Sequence, residues 1–417
     1  SSVFHSGLAC SPAASRPRHG KGHALQRRLG CGQPRPRCRS QPAAMCRSHG
    51  ACFCWMALLL PCGIPGLAAL FGAYATHRCR RPAVPLPPAE DDNRLQTVHV
   101  AFSSDLVAGN SEGLLASMLS LARHLEAPGQ CSMHVIAPRE SMEQAQAVVE
   151  CFKRELAALP AIPAVSLHEL RPRLNVTDLD PRTREGDAFR QWLMKPQTFT
   201  RLYLDDYLPE VPRVLWLDHD VVVRADVAPL YRMRMRHPIA AVTEWCGESL
   251  SPLPRFFKPF CPLYFYMKQT GVMKALRRRG IRRHPEVATF NSGVLLIDLD
   301  RWRADRTAKS LEDLVKVTQG FDGDQAAFNI HFNGTDGVDL LDWRWNLQHH
   351  FYHILSVMPW PQACVREASI LHFSGESKPW RHCRGTGSQD PTCLSAFFWR
   401  VREVFEQNTQ RHRCRVL

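Results

Sequence analysis

Two carboxylates, Asp218 and Asp220, stand one residue apart between two apolar runs, and their types and spacing suit metal chemistry. Residues 214–217 precede them and residues 221–223 follow, and short continuous apolar runs predict strands buried on both faces. Carboxylates at the end of a buried strand are costly unless a positive charge lies beside them. A divalent cation with oxygen ligands is the usual solution, and it could also bind the pyrophosphate of a nucleotide. The alternative is an ordinary polar turn in which Asp218 caps backbone donors.

Other polar residues stand where an ordinary structural role competes with a chemical one. Arg201 fits a surface arginine, residues 291–293 fit a turn, and Asp324 and Gln325 fit the first turn of a helix. His372 ends an apolar run and fits a core histidine, six residues before Lys378. Only their joint arrangement distinguishes these alternatives.

The stretch before the acidic pair predicts the elements that position it. Strands are expected at residues 97–103, 133–137 and 165–167, with helices at 112–125 and 140–159. This alternation predicts an α/β fold with a parallel sheet covered by helices. Ligands of such sheets bind at the carboxyl ends of strands, and Asp105 and Asp218 both follow a predicted strand. The chain has no G-x-G-x-x-G motif and no P-loop, which speaks against a dinucleotide enzyme or an ATPase.

The positive charge of the chain is concentrated at its N-terminal end. The formal net charge is +14, but residues 1–81 hold twelve of the 53 Lys and Arg and none of the 39 acidic residues. The remaining 41 basic and 39 acidic residues nearly balance. This distribution argues against a nucleic-acid-binding domain, which would carry a basic face of its own.

The N-terminal segments predict a membrane anchor. Residues 1–50 form a basic tail without periodic apolar pattern, expected to be disordered, and residues 51–75 carry no charge and are long enough to span a bilayer. Residues 76–95 form a stem, and the folded domain is expected at 96–417. Flanking charge favours a single-pass type II membrane protein with a luminal C-terminal domain, for which the Golgi membrane is the expected location. The alternatives are a cleaved signal peptide, giving a secreted protein, or an organellar transit peptide, as for a plastid.

Sequons at Asn175 and Asn333 fit the secretory pathway, and the eight Cys after residue 80 allow up to four disulfides.

Taken together, four blocks of sequence resemble glycosyltransferase family 8, retaining enzymes that use nucleotide-sugar donors. The blocks lie within residues 97–382 and comprise 102–105, Arg201 with 217–220, 291–293 with 324–325, and 372–380. The residues Arg344-Trp345-Asn346 and Lys378-Pro379-Trp380 make the plant-type galacturonosyltransferase-like branch the nearest. The resemblance implies a GT-A-type fold, with one Rossmann-like nucleotide-binding sheet continuous with an acceptor half.

The resemblance also implies roles for particular residues. It assigns Asp218, Asp220 and His372 to Mn²⁺, and it assigns Lys378 and the Gly375 backbone to the diphosphate. Asp105 matches the position that faces the uracil ring, in the same block as Ser103. The positions around the donor sugar are Arg201, Asn291, Ser292, Gly293, Asp324 and Gln325, of which Arg201, Asp324 and Gln325 are the catalytic candidates. His219, between the two aspartates, has no expected ligand role.

The expected function is transfer of a sugar from a UDP-sugar to a glycan or polysaccharide acceptor, assisted by Mn²⁺ and with retention of anomeric configuration. Hexosyl or galacturonosyl transfer in cell-wall or glycoprotein glycan synthesis fits these residues. An amide such as Gln325 is a poor nucleophile, so same-face substitution is favoured over double displacement. The alternative is a catalytically inactive membrane-anchored scaffold that partners an active relative. The residues do not identify the sugar, the acceptor or the oligomeric state.

Overall fold

The computed structural model describes residues 82–107, 110–179, 193–244, 262–268, 272–348, 366–374 and 378. The predicted tail and anchor at residues 1–75, and Gly375, lie outside the described residues. Among the described residues, no helix combines the length and apolar composition needed to cross a bilayer.

A seven-stranded sheet forms the centre of the fold. Its strands are β1 (Val98–Ser103), β2 (Cys131–Ala137), β3 (Ala164–Glu169), β4 (Arg213–Leu217), β6 (Ile239–Thr243), β7 (Phe290–Asp298) and β8 (Asp339–Leu341), in the order β3-β2-β1-β4-β7-β6-β8. Only β7 runs antiparallel to its neighbours β4 and β6, so the sheet is mostly parallel. The predicted α/β fold with a mostly parallel sheet is therefore confirmed. Because β1 and β4 are parallel neighbours, the segments that follow Ser103 and Leu217 leave the same edge of the sheet.

Helices cover both faces of this sheet, because alternate side chains of each strand point into two separate apolar cores. The helices are α1 (Asn110–His124), α2 (Met142–Glu155), α3 (Leu204–Tyr207), α4 (Ala228–Arg232), α5 (Tyr264–Met267), α6 (Val272–Arg278), α7 (Leu299–Ala304), α8 (Thr307–Thr318) and α9 (Gln325–Phe332). One core contains α1 and α2, and the other contains α7, α8 and α9. A 3-10 helix, Pro196–Tyr203, carries Arg201.

A second sheet of three short strands lies beside the end of β4. It consists of β5 (Val221–Val223), β9 (Leu347–Gln348) and β10 (Ile370–His372), in the order β5-β10-β9. The strand β10 pairs antiparallel with β5, which places His372 opposite Val221. This pairing brings a late segment of the chain beside the turn that follows β4.

Residues 291–293 depart from the simple expectation of a turn. They lie inside β7, whose side chains from Phe290 to Ile297 are all buried. The pairing of β6 with β7 shifts register between Ala241 and Val242, which marks an irregularity in the ladder there. The sequence pattern failed here because Asn and Gly are depleted in strands. Among the described cysteines, Cys151 is disulfide-bonded and Cys131 is a buried free thiol.

Candidate metal and sugar-donor site

Three side chains able to bind a metal converge where β4 ends. Asp218 and Asp220 lie between β4 and β5, and His372 is the last residue of β10. One candidate ligand atom from each side chain lies within 4.8 Å of the other two. Nε2 of His372 is 3.4 Å from Oδ1 of Asp220 and 3.7 Å from Oδ2 of Asp218. The structure therefore brings together the three residues that the family resemblance assigned to Mn²⁺.

Asn346 determines which nitrogen of His372 faces the carboxylates. The Gly293 N–H and the Asn346 amide nitrogen both donate to Oδ1 of Asn291, at 3.0 and 2.9 Å. The oxygen of Asn346 therefore faces Nδ1 of His372, 3.0 Å away, and Nδ1 carries the proton of that hydrogen bond. Nε2 is left with a lone pair toward Asp218 and Asp220, which is the form of imidazole that binds metal ions.

Gly293 leaves the space between the candidate ligands free. The Asp218 N–H donates to the Gly293 carbonyl at 2.8 Å, which fixes the turn against β7. A Cβ atom at position 293 would lie 2.8 Å from Nε2 of His372 and 2.9 Å from Oδ2 of Asp218, and closer still to Cε1 of His372. Any side chain there would therefore occupy the space that the ligand atoms face.

Asp220 is a buried carboxylate, and only one of its two oxygens accepts a hydrogen bond from the described residues. Lys378 donates to its Oδ2 and also to the Phe373 carbonyl, the latter at 2.8 Å. Burial by itself would raise the pKa of Asp220, but the Lys378 ammonium holds it well below its usual range. The other oxygen, Oδ1, is buried and accepts no hydrogen bond from the described residues. An ionised oxygen that is buried without a donor fits a metal ligand.

A divalent cation fits this set of side chains. Two carboxylates and one imidazole offer oxygen and nitrogen atoms of the kind that bind Mn²⁺. The orphaned Oδ1 of Asp220, the lone pair on His372 and the gap at Gly293 all face the same region. Lys378 was expected to contact a diphosphate, and here it neutralises Asp220, at the edge of the same region.

Arg201 connects Asp218 with the start of α9. Its Nε and Nη2 donate to the two oxygens of Asp324 at 2.5 and 2.8 Å, a bidentate pair. Its Nη1 donates to Oδ1 of Asp218 at 3.0 Å and to the Ser292 carbonyl at 2.6 Å. Trp216 also donates to Oδ1 of Asp218, at 2.8 Å, so that oxygen is satisfied and Oδ2 remains for a ligand. Burial raises the pKa of Asp324, and Arg201 opposes that rise.

Gln325, the first residue of α9, is held on both sides of its carboxamide. Its oxygen accepts from the Ser292 N–H at 3.1 Å, the Ser292 hydroxyl at 3.2 Å and the Asn291 amide at 3.3 Å. Its nitrogen donates to the Tyr266 hydroxyl at 2.8 Å and to Oε1 of Glu244 at 3.2 Å. Asn291, Ser292, Asp324 and Gln325 thus form one hydrogen-bonded layer with Arg201, next to the candidate ligands.

The residues at the end of β1 lie in a separate set of contacts. Asp105 accepts from Lys195 at 2.6 Å and from Asn110 at 2.5 Å, and the Ser103 hydroxyl lies 3.2 Å from that of Thr200. Burial raises the pKa of Asp105, but Lys195 and Asn110 bring it below its ordinary value. The expected contact of Asp105 with uracil remains a prediction.

The ring of His219 also contacts the end of β1. Its Nδ1 lies 3.2 Å from the Ser103 carbonyl, so His219 contacts the end of β1 and stands apart from the three candidate ligands.

Four further side chains contribute to the site without having been predicted from the sequence: Asn346, Glu244, Tyr266 and Lys195. Glu244 directly follows β6, and the apolar residues 239–242 mark that strand in the sequence, so the strand-end argument applied to Asp218 could have found it. Asn346 belongs to a segment that contributed to the family resemblance. Tyr266 lies in a proline-rich stretch without a clear pattern, and no local signal marks it.

Solved structures of glycosyltransferases resemble this chain at a low level. The galactosyltransferase LgtC, in complex with donor and acceptor sugar analogues, matches with a TM-score of 0.47 and 20% identity, over 76% of this chain and 96% of that chain. Mouse xyloside xylosyltransferase 1, in its apo form, matches with a TM-score of 0.41 and 18% identity, over 67% of this chain and 98% of that chain. Because both TM-scores are below 0.5, these likenesses carry no argument about the site.

Similarity of sequence identifies the family. Two relatives from Arabidopsis thaliana are named probable galacturonosyltransferase-like 3 and probable galacturonosyltransferase-like 6. The first is 27% identical over 308 residues, covering 70% of this chain and 77% of the relative. The second is 28% identical over 297 residues, covering 68% and 74%. The family model described as glycosyl transferase family 8 matches residues 163–383, which hold all of the candidate metal ligands and the whole layer around Arg201. The chain belongs to glycosyltransferase family 8.

Proposed function

We propose that the chain is a retaining glycosyltransferase that moves a sugar from a UDP-sugar to a glycan or polysaccharide acceptor, with Mn²⁺ held by Asp218, Asp220 and His372. The observation that carries the proposal is the convergence of these three side chains from two distant parts of the chain. Family membership supports the reaction class. The names of the Arabidopsis relatives support hexosyl or galacturonosyl transfer, and the sugar itself is left open.

The side chains around the candidate ligands each have a part in the proposed reaction. When bound, the cation supplies positive charge that neutralises the departing diphosphate. Lys378 adds a second positive charge beside Asp220 and stabilises the same leaving group. Arg201 holds Asp218 so that Oδ2 stays directed toward His372. Preorganised charges of this kind need no rearrangement when the leaving group departs.

The hydrogen bonds of Gln325 support same-face substitution. A double displacement needs a protein nucleophile on the face of the sugar opposite the leaving group. The oxygen of Gln325 already accepts hydrogen bonds from both Ser292 and Asn291, and an amide is a weak nucleophile. In the proposed reaction the acceptor hydroxyl therefore attacks from the side on which the diphosphate leaves, which retains the configuration.

A panel of UDP-sugars tests the proposal. We expect release of UDP from at least one of them, dependent on Mn²⁺, and a loss of about 100-fold or more in Asp220→Ala because the buried ligand is removed. Asp91→Ala, at an exposed position before β1, serves as the control and should retain full activity. Absence of UDP release from every donor would favour the inactive scaffold. Trapping of a covalent glycosyl–enzyme on Gln325 or Asp324 would contradict same-face substitution.

We further propose a Golgi membrane location, with the catalytic part in the lumen. The uncharged segment at residues 51–75 and the two sequons support it. Protease treatment of sealed microsomes tests this location: the catalytic part should be protected until detergent is added.

A further inference from the structure

A cluster of polar side chains lies beside the amide nitrogen of Gln325, and the roles assigned so far do not explain why these side chains are there. Glu244 follows β6, Tyr266 belongs to α5, and Asp322 lies in the loop before α9. Glu244 is 5% exposed and Tyr266 is 1% exposed. Burying polar side chains lowers stability unless each of them is hydrogen-bonded, so the partners of every member of this group matter.

The hydrogen bonds of this group are mutually consistent. The Tyr266 hydroxyl accepts from Gln325 at 2.8 Å and donates to Asp322 at 2.9 Å, the nearer of two carboxylates, since Oε2 of Glu244 lies 3.3 Å away. Glu244 accepts from Gln325 at 3.2 Å with Oε1 and from the Thr289 hydroxyl at 2.6 Å with Oε2. Burial, together with Glu244 and Asp322, raises the pKa of Tyr266 well above its ordinary value, so the hydroxyl keeps the proton it donates.

Tyr266 also holds the loop that leads into α9. Asp322 has a φ of 56°, and Gly320 and Gly323 on either side have φ of 60° and 65°. A left-handed backbone is unfavourable for a residue other than glycine and persists only where its surroundings hold it. The bond from Tyr266 to the Asp322 carboxylate is one such restraint, two residues before Asp324 and three before Gln325.

We propose that Glu244 and Tyr266 are positioning residues that hold the Gln325 carboxamide in a single orientation, with its oxygen toward Asn291 and Ser292. If the amide turned over, its oxygen would face the Glu244 carboxylate and its nitrogen would face the Ser292 N–H. Both contacts would be repulsive, and buried groups would lose their partners. This inference rests on the proposed function for its catalytic consequence, because Gln325 lies in the layer that we assign to the donor sugar.

An exchange of charge tests the orientation without substrate. Gln325→Glu places a carboxylate against Glu244, and we expect the unfolding midpoint to fall by about 5 °C. The double variant Glu244→Gln with Gln325→Glu restores a carboxylate–amide pair of reversed polarity and should recover at least half of that loss. Additive shifts in midpoint would overturn the proposal, because contacting residues must show coupling.

Kinetics then test the catalytic consequence. Tyr266→Phe keeps the ring and removes the hydroxyl, so the Gln325 amide nitrogen loses one of its two acceptors. We expect kcat to fall about tenfold, with KM for the sugar donor unchanged. Tyr264→Phe is the matched control, since Tyr264 lies on the same helix and is 51% exposed. A wild-type kcat in Tyr266→Phe would overturn the positioning role. If the unmodified protein turned over no UDP-sugar, the proposed function would fail, whereas the midpoints would still decide whether Glu244 and Gln325 are coupled.

Discussion

The oxygen of Asn346 lies 3.0 Å from Nδ1 of His372 and so decides which nitrogen of that ring is free. Asn346 is in turn oriented by Asn291, whose oxygen also receives the Gly293 N–H. A backbone donor in β7 therefore fixes, through two amide side chains, the lone pair of the candidate metal ligand on β10. Partners of this kind control ligand orientation and basicity in metal sites.

Asn346→Ala should weaken Mn²⁺ binding without removing a candidate ligand. We expect a loss of affinity of about 10- to 100-fold, because His372 would then sample ring orientations and tautomers that do not bind metal. Titration followed by the electron paramagnetic resonance of free Mn²⁺ measures it. The exposed Asn93→Ala is the control, and equal affinities in the two variants would contradict this role of Asn346.

Gly293→Ala should abolish metal binding while leaving the fold in place. The new methyl group would fall 2.8 Å from Nε2 of His372 and 2.9 Å from Oδ2 of Asp218, in the region that the ligand atoms share. Circular dichroism should report an intact fold, and calorimetric titration should report no binding of Mn²⁺. Gly129→Ala, where the added methyl would lie 3.2 Å from the Ala161 side chain, should bind normally. Normal affinity in Gly293→Ala would place the metal elsewhere.

The buried pair of Arg201 and Asp324 should couple strongly in unfolding. Arg201→Gln leaves the Asp324 carboxylate buried without its partner and should cost about 3 kcal/mol in free energy of unfolding. Asp324→Asn should cost less, because Arg201 keeps its bond to Asp218. The double variant removes both charges and should cost less than the sum of the two. Urea denaturation of the four proteins measures these values, and strict additivity would argue against the pair.

Three histidines on neighbouring strands should make the protein sensitive to mild acid. Nδ1 of His99 lies 3.1 Å from Nε2 of His134, and Nδ1 of His134 lies 3.2 Å from Nε2 of His168. Burial lowers the pKa of all three and brings that of His134 to about 3, with the charges of His99 and His168 acting in the same direction. The Arg171 charge also lowers the pKa of His168, and the ring of Tyr207 lies against His168.

The sign of the pH effect follows from these lowered pKa values. Below about pH 6.5 these histidines bind protons in the unfolded chain but not in the folded chain. The free energy of unfolding is therefore at its full value above about pH 6.5 and declines as the pH falls toward 3. His134 alone should account for about 2 kcal/mol between pH 6.5 and pH 5. Urea denaturation at both values measures the difference, which His134→Gln should reduce and the exposed His124→Gln should not. A stability that rises on acidification over this range would contradict the assignment.

Glycosylation should favour one of the two sequons. The side-chain nitrogen of each donates to a nearby aspartate, Asp178 or Asp336. Asn175 is exposed, however, whereas Asn333 is half-buried and in a left-handed conformation. In a secretory expression host, Asn175→Gln should therefore remove more glycan mass than Asn333→Gln. Mass spectrometry before and after glycosidase treatment measures both, and an unmodified Asn175 would count against a luminal location.

Part of the site could be predicted from the local pattern of apolar and acidic residues. The apolar runs around Asp218 and Asp220 predicted two buried strands with an acidic turn between them, and the structure has β4 and β5 there. The interpretation of residues 291–293 as a turn was wrong, because they continue β7, where Asn291 is needed to orient Asn346. The expectation that Asp324 and Gln325 begin a helix is confirmed, since Asp324 is the N-cap residue of α9 and Gln325 its first residue. The Asp324 carboxylate, however, binds Arg201 and makes no capping bond.

Sequence alone was enough to predict the alternation of strands and helices, the acidic turn after β4 and the order of the family blocks. These features depend on hydrophobic periodicity and on residues that are neighbours along the chain, and both can be seen in the sequence. Tertiary structure decided that His372 meets Asp220, because the antiparallel register of β10 on β5 joins segments about 150 residues apart. It also decided the orientation of Gln325, since Glu244 and Tyr266 reach its amide from elements with no local relation to α9. A contact between distant segments depends on strand order and register, and neither is encoded in the spacing of nearby residues.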